Sequence, residues 1–314
     1  MSKNSADTVI VRSGMTKIRW TLIQMKKYKV AYMMVAPFFI LFFLFTVIPV
    51  VLSLLLSFTT FNLLEWPDFV FMDNYIRLFL DDEIFLIAIK NTLVFAVVTG
   101  PASYLISLFF AWFINELRPK IRAFVTLLFY APSISGSVYL IWTVAFSSDQ
   151  YGFANAWFMK LGIINKPVLW FQNEKYILPL IIVVALWTSL GTSFLTLIAG
   201  FQVVDRTLYE AGAVDGIKNR WQELWFITLP TMRPQLMLSA ILAITASFGF
   251  GGIITALVGF PSPNYCAWTM MHHLEDYGGM RFEMGYASAI ATILFLMMIS
   301  CNLLVTKMLR KVGT

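Results

Sequence analysis

Between positions 31 and 57 the chain carries no charged residue, and five further runs are nearly as apolar, at 88–115, 124–146, 176–200, 235–259 and 284–306. Each reaches the roughly 20 residues that an α-helix needs to cross a bilayer. In hydrocarbon every backbone N–H and C=O must find its partner within the protein, so runs of this kind fold as helices. The first run follows a long polar, basic stretch and outlasts the apolar part of a cleavable leader. It is therefore expected to remain as a signal-anchor. Pro37 and Pro49 within it are tolerable where neighbouring helices satisfy freed carbonyls. Composition agrees: 59% of the 314 residues are hydrophobic and 13% charged, where soluble domains have about 25% charged. Mean hydropathy is +0.75. A soluble or disordered chain is excluded. The expected fold is an all-α integral membrane protein, with a basic segment at 1–30, six transmembrane helices over 31–306 and a tail at 307–314.

The net charge of +6 has a direction. Segments 1–30, 116–123, 201–234 and 307–314 hold 17 of the 23 Lys and Arg, while 11 of the 17 Asp and Glu lie in the alternate loops. The positive-inside rule places the basic side, and with it both termini, in the cytoplasm. Attraction to anionic lipid accounts for the basic balance, and no nucleic-acid partner is expected. Near the N-terminus, Ile18, Leu22 and Met25 share a helical face among lysines and arginines. That pattern reads equally as a helix lying on the inner membrane surface or as a plain topology anchor.

Metal and disulfide chemistry have little to work with. Cys266 falls in a loop and Cys301 in an apolar run, too few ligands for a zinc site or a disulfide framework. His272 and His273 are adjacent, a poor arrangement for gripping one ion. No catalytic constellation and no metal site is expected.

The loop at 201–234 is the segment that membrane insertion does not explain. It is far longer than a helix-to-helix connection needs. Asp205 is a good N-cap for a short helix carrying Leu208, Ala211 and Ala213. Asp215-Gly216 is a turn signal that stops this helix. A second periodic stretch follows with Trp221, Leu224, Trp225 and Ile227, expected to end at Leu229-Pro230, and Pro234 opens the next span. Ala211, Gly212 and Ala213 are small enough to admit another protein surface. A self-contained helical hairpin that only joins two spans fits the same residues.

Glu210-Ala211-Gly212-Ala213-Val214-Asp215-Gly216, with Leu229-Pro230 beyond it, resembles the EAA signature of binding-protein-dependent ABC importer permeases. That signature reads E-A-A-x-x-x-G, with a D-G extension and a terminal L-P in sugar importers. Gly212 stands where Ala is usual, and Ile217 where Ala commonly follows the glycine. Asn74-Tyr75, Asp81-Asp82, Asn91-Thr92, Tyr151-Gly152 with Asn155, and Gly285 to Ala291 are also similar to the first membrane subunit of such importers. Gly259-Phe260-Pro261 partly matches the family's Gly-Gly-Pro. The chain looks like the shorter, six-span kind found in glycerol-phosphate and oligosaccharide importers, rather than the longer maltose-type subunit.

The resemblance implies a type I importer permease fold in a bacterial cytoplasmic membrane. It also implies a second permease subunit, two ABC ATPase subunits, an extracytoplasmic solute-binding protein and a sugar substrate. No Walker A pattern occurs in the chain, so ATP and Mg would be handled by the partner ATPases, and this chain would bind no cofactor and be no enzyme. The coupling residues it implies are Glu210, Ala211, Gly212, Asp215, Gly216, Leu229 and Pro230.

The span centres carry no charge, which disfavours a proton relay. They do carry neutral hydroxyls and aromatics of the kind that suit a polyol. Trp187, Ser189, Thr192, Phe194, Thr245, Ser247 and Gly249 are the candidate substrate path. Such hydroxyls equally bond their own backbone, and such Trp residues equally form an interfacial belt. Sugar-contacting asparagines of the maltose-type relative correspond here to small residues including Ala246 and Gly249, so the paired permease would share the substrate. The alternatives are a permease for another solute such as glycerol phosphate, a stand-alone secondary transporter, or a membrane protein with a structural role. The second calls for inverted repeats or an intramembrane acid–base pair, and neither is found.

Overall fold

The computed structural model describes residues 21 and 24–309. By contacts the chain divides into two units, Met1–Leu55 and Leu56–Thr314. The surface-helix reading at Ile18 and Leu22 lies outside the described residues, as does 310–314 of the tail.

The first unit holds all but the last residue of the helix α1, Lys29–Leu56. Its turn Phe43–Val47 is widened to i→i−5 spacing directly before Pro49. The proline ring would press on the carbonyl of the turn before it, and the wider turn makes room.

In the second unit the segment before the second apolar run forms α2, Asp73–Ile76, continued by the widened turn Arg77–Asp81. Then come α3 (Glu83–Asn115), α4 (Pro119–Ile134), α5 (Val138–Ala145), α6 (Phe153–Lys160), α7 (Glu174–Thr188) and α8 (Thr192–Val203). They are followed by α9 (Arg206–Val214), α10 (Arg220–Thr231), α11 (Arg233–Ser247) and α12 (Gly251–Val258). Last are α13, Met270–Glu275 with the widened turn Asp276–Met280, and α14, Met284–Leu309.

Among the described residues α1, α3 and α14 are each long and apolar enough to cross a membrane. Three bent pairs raise the number to as many as six: α4 and α5 meet at 84°, α7 and α8 at 41°, α10 and α11 at 84°. The breaks fall at Ser135-Gly136-Ser137, Ser189-Leu190-Gly191 and Met232. The fifth run, 235–259, in which Gly249, Gly251 and Gly252 point to a kinked or closely packed helix, is divided at Phe248-Gly249-Phe250 into α11 and α12. Gly249, Gly251 and Gly252 crowd this point, and glycine carries the highest entropic cost of helix formation among residues that keep their N–H. α10 also differs from expectation, running past Pro230 to Thr231. Its turn Leu224–Thr228 is widened, so the ladder has already shifted where the proline's missing N–H falls.

The main core lies where α8 and α11 pack on α3. Trp112, Phe194, Leu197, Ile198, Phe201, Leu229, Met232 and Leu236 are buried together there. Burial of a large aliphatic or aromatic side chain stabilises by about 1.5–3 kcal/mol relative to water. Helices approach closely at Gly200, where a Cβ would stand 2.9 Å from Gln235 Cβ. Beside it the Ser193 hydroxyl donates to the Ser239 carbonyl at 3.0 Å.

Candidate functional site

The loop after α8 folds as the expected pair of short helices. Asp205 caps α9, its Oδ1 accepting the Thr207 N–H at 3.0 Å. The other end is closed by two backbone bonds, Ile217 N–H to the Gly212 carbonyl at 2.9 Å and Gly216 N–H to the Ala213 carbonyl at 3.4 Å. This double closure needs a left-handed residue at Gly216, whose φ is +95°. Asn219 then caps α10 by accepting the Gln222 N–H at 2.9 Å.

Three sides of α9 face different surroundings. Tyr209 and Gly212 turn inward: the Tyr209 hydroxyl lies 2.9 Å from Thr228 Oγ1, and Gly212 is buried against Ile227 and Ile217. Leu208, Ala211 and Val214 are exposed, Val214 to 89%. Arg206 and Glu210 border a cleft of about 660 Å³ shared with the α3–α4 connection. Of the three small residues expected to admit a partner surface, Gly212 does not do so, because α10 already occupies its side. Leu229 is buried in the main core and Pro230 half-buried. Together they are the joint that fixes the hairpin to the 84° bend between α10 and α11. Asp215 ends the helix and is exposed.

The candidate substrate residues are not brought onto one lining. Phe194 is fully buried in the core, and Ser247 is buried with its hydroxyl bonded to the Ile244 carbonyl at 2.6 Å. Ser189 donates to the Leu186 carbonyl at 2.7 Å. These hydroxyls satisfy their own helices, as polar groups in membrane helices commonly do. Trp187 borders a 560 Å³ cavity whose other walls are almost wholly apolar, including Phe110, Phe129, Pro132 and Leu190. Thr192, Thr245 and Gly249 are exposed.

A buried polar cluster that the sequence reading missed joins α3, α13 and α14. Asp82 caps α3 by accepting the Phe85 N–H at 2.9 Å. Its Oδ2 lies 3.0 Å from His273 Nε2 and 2.8 Å from the Tyr286 hydroxyl. Trp268 Nε1 donates to His273 Nδ1 at 3.2 Å, and an indole can only donate, so the ring proton sits on Nε2, toward Asp82. Burial alone would raise the Asp82 pKa. The hydrogen bonds from His273, the Phe85 amide and Tyr286 outweigh it and bring the carboxyl down to about 2. Beside it Arg77 pairs with Glu283 at 2.7 Å and lies 4.2 Å over the Tyr286 ring.

The asparagines quoted for the resemblance are fasteners. Asn74 Nδ2 donates to the Ser57 and Thr59 carbonyls, both at 2.9 Å. Asn91 reaches the carbonyls of Tyr265, Cys266 and Trp268 at 2.9–3.3 Å, while Thr92 accepts the Met270 N–H at 2.9 Å. Asn155, fully buried, reaches the carbonyls of Ser147, Asp149 and Val168 and accepts from Val168 N–H and Trp170 Nε1. At Gly285 a Cβ would run into the Thr59 carbonyl oxygen.

No family model matches the chain. The probable ABC transporter permease protein YesP of Bacillus subtilis is 34% identical over 269 residues, covering 84% of this chain and 84% of that protein. The chain belongs to the ABC transporter permeases. It is accordingly a multi-pass membrane protein. The arabinooligosaccharides transport system permease protein AraP of Bacillus subtilis is 27% identical over 300 residues, covering 95% of this chain and 94% of AraP. The lactose transport system permease protein LacF of Rhizobium radiobacter is 26% identical over 271 residues, covering 85% and 89%. In fold the chain is similar to a subunit of a bacterial ABC transporter involved in alginate import, with a TM-score of 0.75 at 23% identity, over 94% of this chain and 99% of the other. The permease fold and its helical makeup are thus as the sequence reading expects.

Proposed function

We propose that this chain is one of the two permease subunits of an ABC importer that moves a carbohydrate, an oligosaccharide in the first instance, into the cell. The solute arrives on an extracytoplasmic binding protein. Two ATPase subunits bind ATP and Mg, and the chain itself performs no catalysis. The observation that carries this reading is α9. It is a capped, rigid helix on the basic side, anchored inward by Gly212 and Tyr209 and presenting Leu208, Ala211 and Val214 outward. An exposed apolar face on a polar loop marks a surface for a partner, and ATPase closure against it would push through Leu229-Pro230 on the bent spans. The relatives named for arabinooligosaccharides and lactose support the substrate class. The charge asymmetry supports cytoplasmic termini, and accessibility of a cysteine placed at Val214 to a membrane-impermeant reagent tests that orientation.

The function is tested by purifying the complex from its native cell, adding its binding protein and measuring ATP hydrolysis across a sugar panel. The expected result is co-purification of a second permease and two ATPase subunits, with hydrolysis stimulated several-fold by one oligosaccharide class. A chain that purifies without an ATPase, or hydrolysis indifferent to every sugar, contradicts it.

A further inference from the structure

The third, fourth and fifth apolar runs each break, between α4 and α5, α7 and α8, and α11 and α12. Among the described residues the N–H groups of Gly136, Ser137, Leu190 and Phe250 find no backbone acceptor, so the helical ladder lapses in all three. The breaks adjoin one another. A Cβ on Gly191 would stand 3.3 Å from Ser133 Cβ, and α12 packs on the turn that opens α5. Beside the third break, a Cβ on Gly100 of α3 would stand 3.4 Å from the Ser247 hydroxyl. There α3 is weakened too, because Pro101 has no N–H to offer the Val97 carbonyl.

The two sides of this level have separate cores. On one side Ile177 and Ile181 of α7, Ile254 of α12 and Ala267 are buried together against Phe95 of α3. On the other, Phe194 of α8, Leu229 of α10 and Leu236 of α11 are buried against Trp112 of α3, with Phe129 of α4 packed on them. The 560 Å³ cavity lies between the breaks, walled by Pro132, Ser135 and Val138 from one and by Leu186, Trp187 and Leu190 from the next. Close-packed interiors do not deform, so movement between two cores needs such a void and a flexible joint. We propose that the three breaks and Gly100-Pro101 form one hinge level, about which α4, α8, α10 and α11 swing as a block with α9 against α5, α7 and α12, closing the cavity. α14 runs unbroken past the level and packs on α11 and α13, as a fixed post. The proposal rests on the reading that α9 receives the push of the ATPases.

The test measures distances between pairs of spin labels in the complete transporter, without nucleotide and with ATP, Mg and vanadate. The labels sit on cysteines at the exposed positions Phe124, Val144, Lys175 and Val203, with Cys266 and Cys301 replaced by Ser. Phe124 with Val203 and Val144 with Lys175 each lie within one block and are expected to keep their distances. Val144 with Val203 spans the hinge and is expected to shift by several ångströms. Filling the cavity by Ala131→Phe is expected to abolish that shift and lower uptake at least tenfold, with melting unchanged or raised. Should that variant not assemble, the distances alone decide. Constant distances in all three pairs overturn the proposal, since the chain then moves as one body. Equal shifts within and between the blocks overturn it as well, as does wild-type uptake by Ala131→Phe. Crosslinking of Val214→Cys to an ATPase subunit tests the underlying reading by itself. Its absence overturns that reading and the proposal together, whereas a crosslink with an unmoved Val144–Val203 pair overturns the proposal alone.

Discussion

Gly212 lies so close to Ile227 that a methyl at position 212 would stand 2.6 Å from Ile227 Cδ1 and 3.0 Å from Ile217 Cδ1. Both are the far ends of side chains that can rotate away. Gly212→Ala also gains about 1 kcal/mol of helix propensity, against an overpacking cost of about 1–3 kcal/mol. The alanine variant is expected to stay within about 1 kcal/mol of the parent and to transport normally. Gly212→Leu must push α9 off α10, and a loss of uptake of at least tenfold with normal insertion is expected. Wild-type uptake by the leucine variant would count against the packing described.

Asp82 makes stability depend on acid. Its carboxyl titrates near 2 in the folded chain against 3.8 when free, so between those values the unfolded chain binds more protons. The stabilisation, about 2 kcal/mol, is complete above pH 4 and lost as the pH falls from 4 toward 2. Melting of the purified protein in detergent from pH 7 to pH 3 should show a drop below pH 4 that Asp82→Asn makes shallower. The same variant should melt lower than the parent at pH 7. Identical pH profiles for the two proteins refute the assignment.

Asn155→Ala strands the half-buried Val168 N–H and Trp170 Nε1, which now have an acceptor at 3.0 and 2.9 Å. Each lost acceptor costs about 1–3 kcal/mol. Amide exchange over 147–172 should accelerate markedly while the spans keep their protection. Unchanged exchange in that loop is the contrary outcome.

Phe194, read from sequence as a substrate contact, is expected to act through packing. Phe194→Ala removes a fully buried ring from the core and should cost about 3–5 kcal/mol of stability. A variant that melts like the parent but has a raised half-saturation for sugar would restore the substrate role.

Much of this was legible because certain signals are local. The apolar runs demand helices whatever their neighbours, and Asp205, Gly216 and Pro234 mark helix ends through their own backbone chemistry. The glycines at 249, 251 and 252 marked the break at Phe248–Phe250, whereas the one at Ser135–Ser137 was harder to read, since it depends on how neighbouring helices pack. Gly212 looked like an open surface because a sequence does not say which side of a helix is already covered. The Asp82 cluster was missed for a related reason. Its members, Asp82, Trp268, His273 and Tyr286, are far apart in the chain and meet only once α3, α13 and α14 are assembled. A lone Asn such as Asn155 between apolar stretches was the available hint, and its role is to tie carbonyls rather than to bind solute.

Gly216 offers the most direct test of the central claim, that α9 carries the motion between ATPase and spans. Apart from its chain neighbours, nothing lies within 4 Å of where its Cβ would be, so Gly216→Val places its first carbon in open space. It strains only the left-handed turn, by about 1–2 kcal/mol. In proteoliposomes holding the complete transporter and its binding protein, sugar uptake and ATP hydrolysis are measured together. The account predicts normal insertion, near-normal hydrolysis and uptake reduced at least tenfold. Uptake at the wild-type rate and with the wild-type ratio of sugar to ATP would contradict it.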